Sequence, residues 1–149
     1  MSPAAVSIML PSTMALVCDE VFLDRRPPTK KSSSHIELAR WGEMFVVLPA
    51  TANVIGQAAN GLGPNLLTTT ILASPNPVIF FPNVHEAMWS KPAVRRNVEI
   101  LRDDGYVVVE PEFASAYEVG SGEMRQSLVM PEPTEIITVL KELTESKYK

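Results

Sequence analysis

Met44-Phe45-Val46-Val47-Leu48-Pro49-Ala50-Thr51-Ala52-Asn53 is the stretch on which the fold turns. Residues 44–48 form a continuous apolar run, the pattern of a strand buried on both faces, and Pro49 ends it. A helix is expected from about Asn53, because Val54, Ala58 and Ala59 recur at helical spacing before Asn60-Gly61 supplies a stop. Working outward, residues 65–73 suit a second helix and 77–81 a second buried strand. Pro92 opens another helix, with Val94, Val98 and Leu101 on one face and Arg95, Arg96, Glu99 and Arg102 outside; Gly105 closes it. Residues 106–109 read as a third strand, and 133–146 as a last amphipathic helix on Ile136, Leu140 and Leu143. Strands alternating with helices imply an α/β fold, a doubly wound parallel sheet with crossover connections.

Composition narrows the function. The chain has 149 residues, 46% hydrophobic and 20% charged, which suits a single domain over 1–149 with a sizeable core. A net charge of -4 speaks against nucleic acid held by broad positive charge. One cysteine, Cys18, excludes an internal disulfide framework and a cysteine-built zinc site, and with only His35 and His85 besides, no metal is expected. No apolar run reaches the roughly 18–20 residues that span a bilayer, and no basic-then-apolar leader is visible, so no membrane partner and a cytoplasmic location are expected. Residues 24–33, polar, basic and proline-bearing, read as a surface loop, either a solvated connector or a flap over a peptide. The apolar neighbours of Cys18 predict a buried, inert thiol.

In such sheets ligands sit beyond the carboxyl ends of the strands, here 49–53, 82–89 and 110–122. Ala50 and Ala52 allow close backbone approach, while Thr51 and Asn53 place polar groups at a helix start, which either bind an anion or simply cap the helix. Asn83, His85 and Met88 would form a pocket wall, although Met88 and Trp89 also suit core or interface packing. Ser34-His35-Ile36-Glu37 fits a capping box, with Ser34 as N-cap. The positive end of that helix disfavours a further positive charge on His35, which suits either a proton acceptor or an ordinary surface residue.

Taken together, these segments resemble the homo-oligomeric flavin-containing cysteine decarboxylases. Pro49-Ala50-Thr51-Ala52-Asn53 resembles that family's PASANT motif, and Pro82-Asn83-Val84-His85-Glu86-Ala87-Met88-Trp89 its PxMNxxMW motif. Asn60-Gly61 with Asn65-Leu66-Leu67-Thr68-Thr69 matches its NG…NLLTT stretch, and His35 falls where its active-site histidine stands. Residues 116–124 resemble the FEI-x-S/T-G segment of the peptide branch, the epidermin- and mersacidin-type enzymes, and lack the cysteine that the coenzyme A branch carries there.

The resemblance implies a Rossmann-like (flavodoxin-like) fold and FMN as cofactor. The implied substrate is a ribosomally made precursor peptide, in lantibiotic, linaridin or thioamide-peptide biosynthesis. Two electrons leave the side chain of its C-terminal cysteine, the thioaldehyde so formed acts as electron sink, and carbon dioxide departs to leave an aminoenethiol. It implies His35 as base and Ala50, Thr51, Ala52 and Asn53 around the flavin. Asn83, His85 and Met88 would meet the substrate, with His85 also at the reacting end. Tyr117, Glu118, Val119, Gly120, Ser121 and Gly122 would form a clamp over the peptide. It further implies a homotrimer or a trimer-based assembly such as a dodecamer.

Two departures stand out. His85 replaces the motif's asparagine, which meets the substrate carboxylate; because only contacts selective for the transition state raise the rate, a neutral donor or a different carboxylate pose is expected. The family's first strand-helix-strand unit is not seen ahead of Ser2, so either this sequence starts inside a longer chain or the protein lacks that unit. Phosphopantothenoylcysteine decarboxylation and a non-catalytic flavoprotein-like subunit are the alternatives.

Overall fold

Two short helices open the chain in the computed structural model, which describes residues 1–24, 34–118 and 120–147. These are α1 (Pro3–Ile8) and α2 (Pro11–Met14), each with proline in its first turn, where the missing N–H costs no helical bond. The reading of 24–33 as a loop falls, apart from Asp24, outside the described residues. Helix α3 (His35–Trp41) starts at the expected box: Ser34 Oγ accepts from the Glu37 N–H at 3.2 Å, and Glu37 Oε2 accepts from the Ser34 N–H at 2.6 Å.

Strand β1 (Phe45–Ala50) runs into α4 (Ala52–Ala59) and α5 (Leu66–Ala73). Asn60 caps α4 and Gly61 follows at φ 65°, the left-handed turn that glycine adopts most readily. Asn65 caps α5 in a second reciprocal box with Thr68. Strand β2 (Val78–Pro82) leads through α6 (Glu86–Trp89) and α7 (Pro92–Asp103) to β3 (Val107–Val108). Strands β4 (Glu112–Glu118) and β5 (Glu123–Val129) precede α8 (Pro133–Lys147).

The central sheet is parallel with order β1-β2-β3. Alternate residues of each strand point to opposite faces, which divides the core in two. Val47, Val78, Phe80 and Val108 pack with Val54, Ile55, Ile71, Val98 and Leu101 from α4, α5 and α7. On the other face Ile79 and Phe81 meet Ile136, with Leu140 and Leu143 of α8 against them. Phe80 and Phe81 are both fully buried, so β2 is the spine that joins the two halves of the core.

Three expectations need correction. β1 is not buried on both faces: Leu48 and Pro49 are exposed, because β1 has only β2 beside it in this sheet. Residues 110–122 are not simply a strand-end segment. They contain β4, which pairs antiparallel with β5 from Glu112↔Val129 to Glu118↔Glu123. Cys18 is exposed rather than buried, since the surface segment that carries it exposes Leu16 and Val17 as well.

Candidate active site

At the carboxyl edge of the sheet, Ala50 pairs with Pro82, and the Ala50 carbonyl accepts the Asn83 N–H at 2.9 Å. This single bond joins the turn after β1 to the turn after β2. Ala50 is completely buried, so the chain leaves β1 with its backbone fixed and no side chain in the way. Thr51 is the N-cap of α4; its Oγ1 accepts from the Val54 N–H at 3.3 Å, and no acidic residue stands in that helix's first turn. The backbone N–H groups of Ala52 and Asn53 remain at the positive end of the helix. Asn53 Oδ1 accepts from Gln57 at 3.2 Å, which leaves the Asn53 amide NH2 directed to donate.

Across the Ala50–Asn83 link, His85 caps α6. Its Nδ1 accepts the Ala87 N–H at 3.2 Å. An Nδ1 that accepts leaves Nε2 as the donor atom of the ring, on a side chain exposed at the turn. Met88 is exposed whereas Trp89 is buried in the core, so the two residues that sequence grouped together have opposite roles.

The remaining site residues are spread around this centre. His35 holds the first position of α3 and is half-buried; α3 packs on α5. Among the described residues, no hydrogen bond or ion pair joins His35 to the turns at 51–53 or 83–85. Tyr117 and Glu118 end β4, and Gly120, Ser121 and Gly122 form the hairpin turn, Gly122 at φ 72°. Val119 lies outside the described residues.

One cluster was read from sequence only as solvated charge on the outside of α7. Arg95 lies with its guanidinium carbon 5.0 Å from the Trp89 ring centroid and faces both carboxylate oxygens of Glu110 at 3.4 Å. Arg102 also binds Glu110, at 2.8 Å, and the Val108 carbonyl at 3.1 Å. Partial burial works to raise the Glu110 carboxyl, but hydrogen bonds and charge from Arg102 and Arg95 outweigh it and hold Glu110 below its ordinary value. The spacing of Arg95 and Arg102, two helical turns apart on one face, was the available signal.

An apolar cleft of about 300 Å³ lies elsewhere, lined by Met14, Cys18, Phe22, Trp41, Phe45 and Leu67 among others. Phe45 begins β1, so this cleft borders the strand's amino end. Its lining is mostly apolar, whereas the strand ends carry the polar groups that recognition of a polar ligand requires. Among the described residues, no group of His, Cys, Asp or Glu could hold a metal ion, and no helix is long and apolar enough to cross a membrane.

Residues 1–140 match the Flavoprotein family. Mersacidin decarboxylase of Bacillus sp. (strain HIL-Y85/54728) is 40% identical over 134 residues, covering 89% of this chain and 69% of that protein. The solved structure of an EpiD variant complexed with the substrate peptide DSYTC superposes with a TM-score of 0.84 at 28% identity, covering 91% of this chain and 76% of that one. The FMN-dependent cysteine decarboxylase SpaF superposes with a TM-score of 0.74 at 34% identity, over 95% of this chain and 76% of its own. With nearly its whole length matched, the chain belongs to the Flavoprotein family.

Proposed function

We propose that this chain is an FMN-dependent enzyme that oxidatively decarboxylates the C-terminal cysteine of a ribosomally made precursor peptide. The observation that carries the reading is the Ala50–Asn83 link, which sets a small-residue helix start beside the turn that carries His85. The first is fit for a flavin phosphate, the second for a peptide carboxylate. Similarity to a peptide-bound decarboxylase and to an FMN-dependent one supports both assignments.

The residues present fit FMN. Ala50 and Ala52 leave the backbone approachable, and Thr51, Asn53 and the first N–H groups of α4 supply donors in a helix turn that holds no acidic residue. When bound, FMN accepts the two electrons that leave the cysteine side chain. Thr51, Ala52 and Asn53 hold and orient the cofactor. The His85 ring orients the peptide carboxylate. His35 is assigned as the base that takes a proton from the cysteine. His35 opens α3, which packs on α5 and is joined to β1 by three residues. Tyr117, Glu118, Val119, Gly120, Ser121 and Gly122 form the clamp over the peptide, and Asn83 and Met88 line its path.

Residues 1–149 are read as one flavoprotein domain. A homotrimer or trimer-based assembly in the cytoplasm goes with this reading, and exposed Ile8, Leu16, Val17 and Trp41 are apolar surface that subunit contacts would cover. Light scattering of the purified protein tests the assembly.

The function is tested by incubating the purified protein with FMN and synthetic peptides ending in cysteine, with phosphopantothenoylcysteine as the rival substrate. Loss of one carbon dioxide and two hydrogens from the peptide is expected. Turnover of phosphopantothenoylcysteine alone would assign the coenzyme A branch, and no turnover of either would oppose an enzyme. His35→Ala should lower kcat about 10²- to 10⁴-fold with flavin still bound.

A further inference from the structure

The Trp89–Arg95–Glu110–Arg102 cluster has no part in the chemistry derived above, yet it spans two regions assigned to the substrate. Trp89 ends α6, whose N-cap is His85, and its indole is buried in the main core. Glu110 lies just beyond β3, and buried Pro111 separates it from the first residue of β4. Arg95 bridges them: its guanidinium carbon lies over the indole, and two of its N–H groups meet the carboxylate. A planar guanidinium can make both contacts at once, whereas a lysine ammonium cannot. Arg102 bonds the same Glu110 oxygen, Oε1, and is itself tied to Val108 and, at 3.1 Å, to Glu99.

Resting on the peptide-decarboxylase reading, we propose that Glu110 is a positioning residue that acts through Arg95 to set the His85 turn against the root of the β4–β5 hairpin, so that carboxylate recognition and the peptide clamp are held in one register. A peptide that ends at His85 and passes beneath the hairpin must satisfy both regions at once. Their relative placement then governs how well the peptide binds, while the reacting groups around His35 and the flavin site are untouched. The expected signature is a change in KM at constant kcat.

Glu110→Gln keeps the shape and one acceptor but removes the charge, and Arg95→Lys keeps the charge but removes the planar stack. In a Trp41→Phe background the indole N–H signal of Trp89 is the only tryptophan signal, so NMR reads the link without any turnover. Each variant is expected to shift the Trp89 signal and the His85 ring signals. Each should raise KM for a cysteine-ended peptide about fivefold, with kcat held within twofold. Binding of the same peptide ending in serine, which lacks the thiol to be oxidised, should weaken in parallel. The double variant should be no worse than the weaker-binding single one, since both break the same link.

Unchanged Trp89 and His85 signals in Glu110→Gln would overturn the proposal, whether or not the protein turns over peptide. In an active protein, so would a fall in kcat at constant KM, or additive effects in the double variant. A wild type that does not decarboxylate, with the signals moving as expected, would sink the functional reading and leave the positioning role standing. Arg102→Lys gives a second route to the same link should either variant fail to fold.

Discussion

The carboxyl-edge turns and the β4–β5 hairpin are built on opposite terms. The turns at 50–53 and 82–89 grow directly out of the central sheet, with Ala50 and Phe81 fully buried and Trp89 sunk in the core. The hairpin stands on its own ladder of seven residue pairs, and Phe113, Tyr117 and Met124 are each more than 60% exposed. Only its root is anchored: Leu128, opposite Phe113, packs against the main core. An isolated two-stranded hairpin is marginal in water. The contrast suits a division of labour in which rigid turns carry the chemistry and a weakly supported ribbon adapts to the peptide.

The sharpest way to break this contrast is to damage the spine under the rigid side. Phe80 is fully buried and meets Tyr106 edge-on at 6.0 Å between ring centroids. Phe80→Ala should cost about 3–5 kcal/mol, read by chemical denaturation, and should abolish flavin binding and turnover together. A hairpin substitution should do neither. Tyr117→Ala is expected to leave the denaturation midpoint nearly unchanged and to raise KM for the peptide up to about tenfold, a loss of about 1.4 kcal/mol. If Tyr117→Ala destabilised the protein as Phe80→Ala does, the hairpin would be part of the core and the contrast would fail.

The same contrast explains what the sequence made legible. β2 was readable because a strand buried on both faces is an unbroken apolar run, and α7 because Val98 and Leu101 repeat at helical spacing above a buried face. The Ser34–Glu37 box was readable because capping is local chemistry. The hairpin was missed because neither face is packed on a core over most of its length, so the half-buried alternation that marks a strand is weak. The signal that could have found it is Gly120-Ser121-Gly122 between two runs of similar length. Cys18 was misread because apolar neighbours in sequence do not ensure burial where a whole segment lies on the surface. The spacing of Arg95 and Arg102 could place them on one face of α7, but their contacts with Trp89 and Glu110 depend on where the crossover sets that face.

A smaller effect sharpens the rigid side itself. Thr51→Ala removes the α4 cap and should cost about 1 kcal/mol. If the turn holds the flavin phosphate, the FMN dissociation constant should also rise, which a flavin titration measures. A loss of stability with FMN affinity unchanged would leave Thr51 a cap and nothing more.

The smallest expected effect tests the bridge between the two regions, and its sign follows from Glu110. Its folded carboxyl lies below the ordinary value, because Arg102 and Arg95 together outweigh the opposing effect of burial. Folding therefore favours the ionised form, and that contribution is fully present at pH values above the ordinary carboxylate range. It is lost as pH falls through that range toward the folded value. Glu110→Gln cannot ionise, so the stability gap between wild type and variant should be widest near neutrality and should narrow on the acid side. Glu110 and Arg95 are both well exposed, and solvent screening keeps the increment at about 0.5 kcal/mol or less. Added salt should shrink it further. Denaturation curves at several pH values measure the gap. A gap that stayed constant with pH would mean that the charge on Glu110 does not contribute to the link, leaving only the hydrogen bonds that the guanidinium groups of α7 donate.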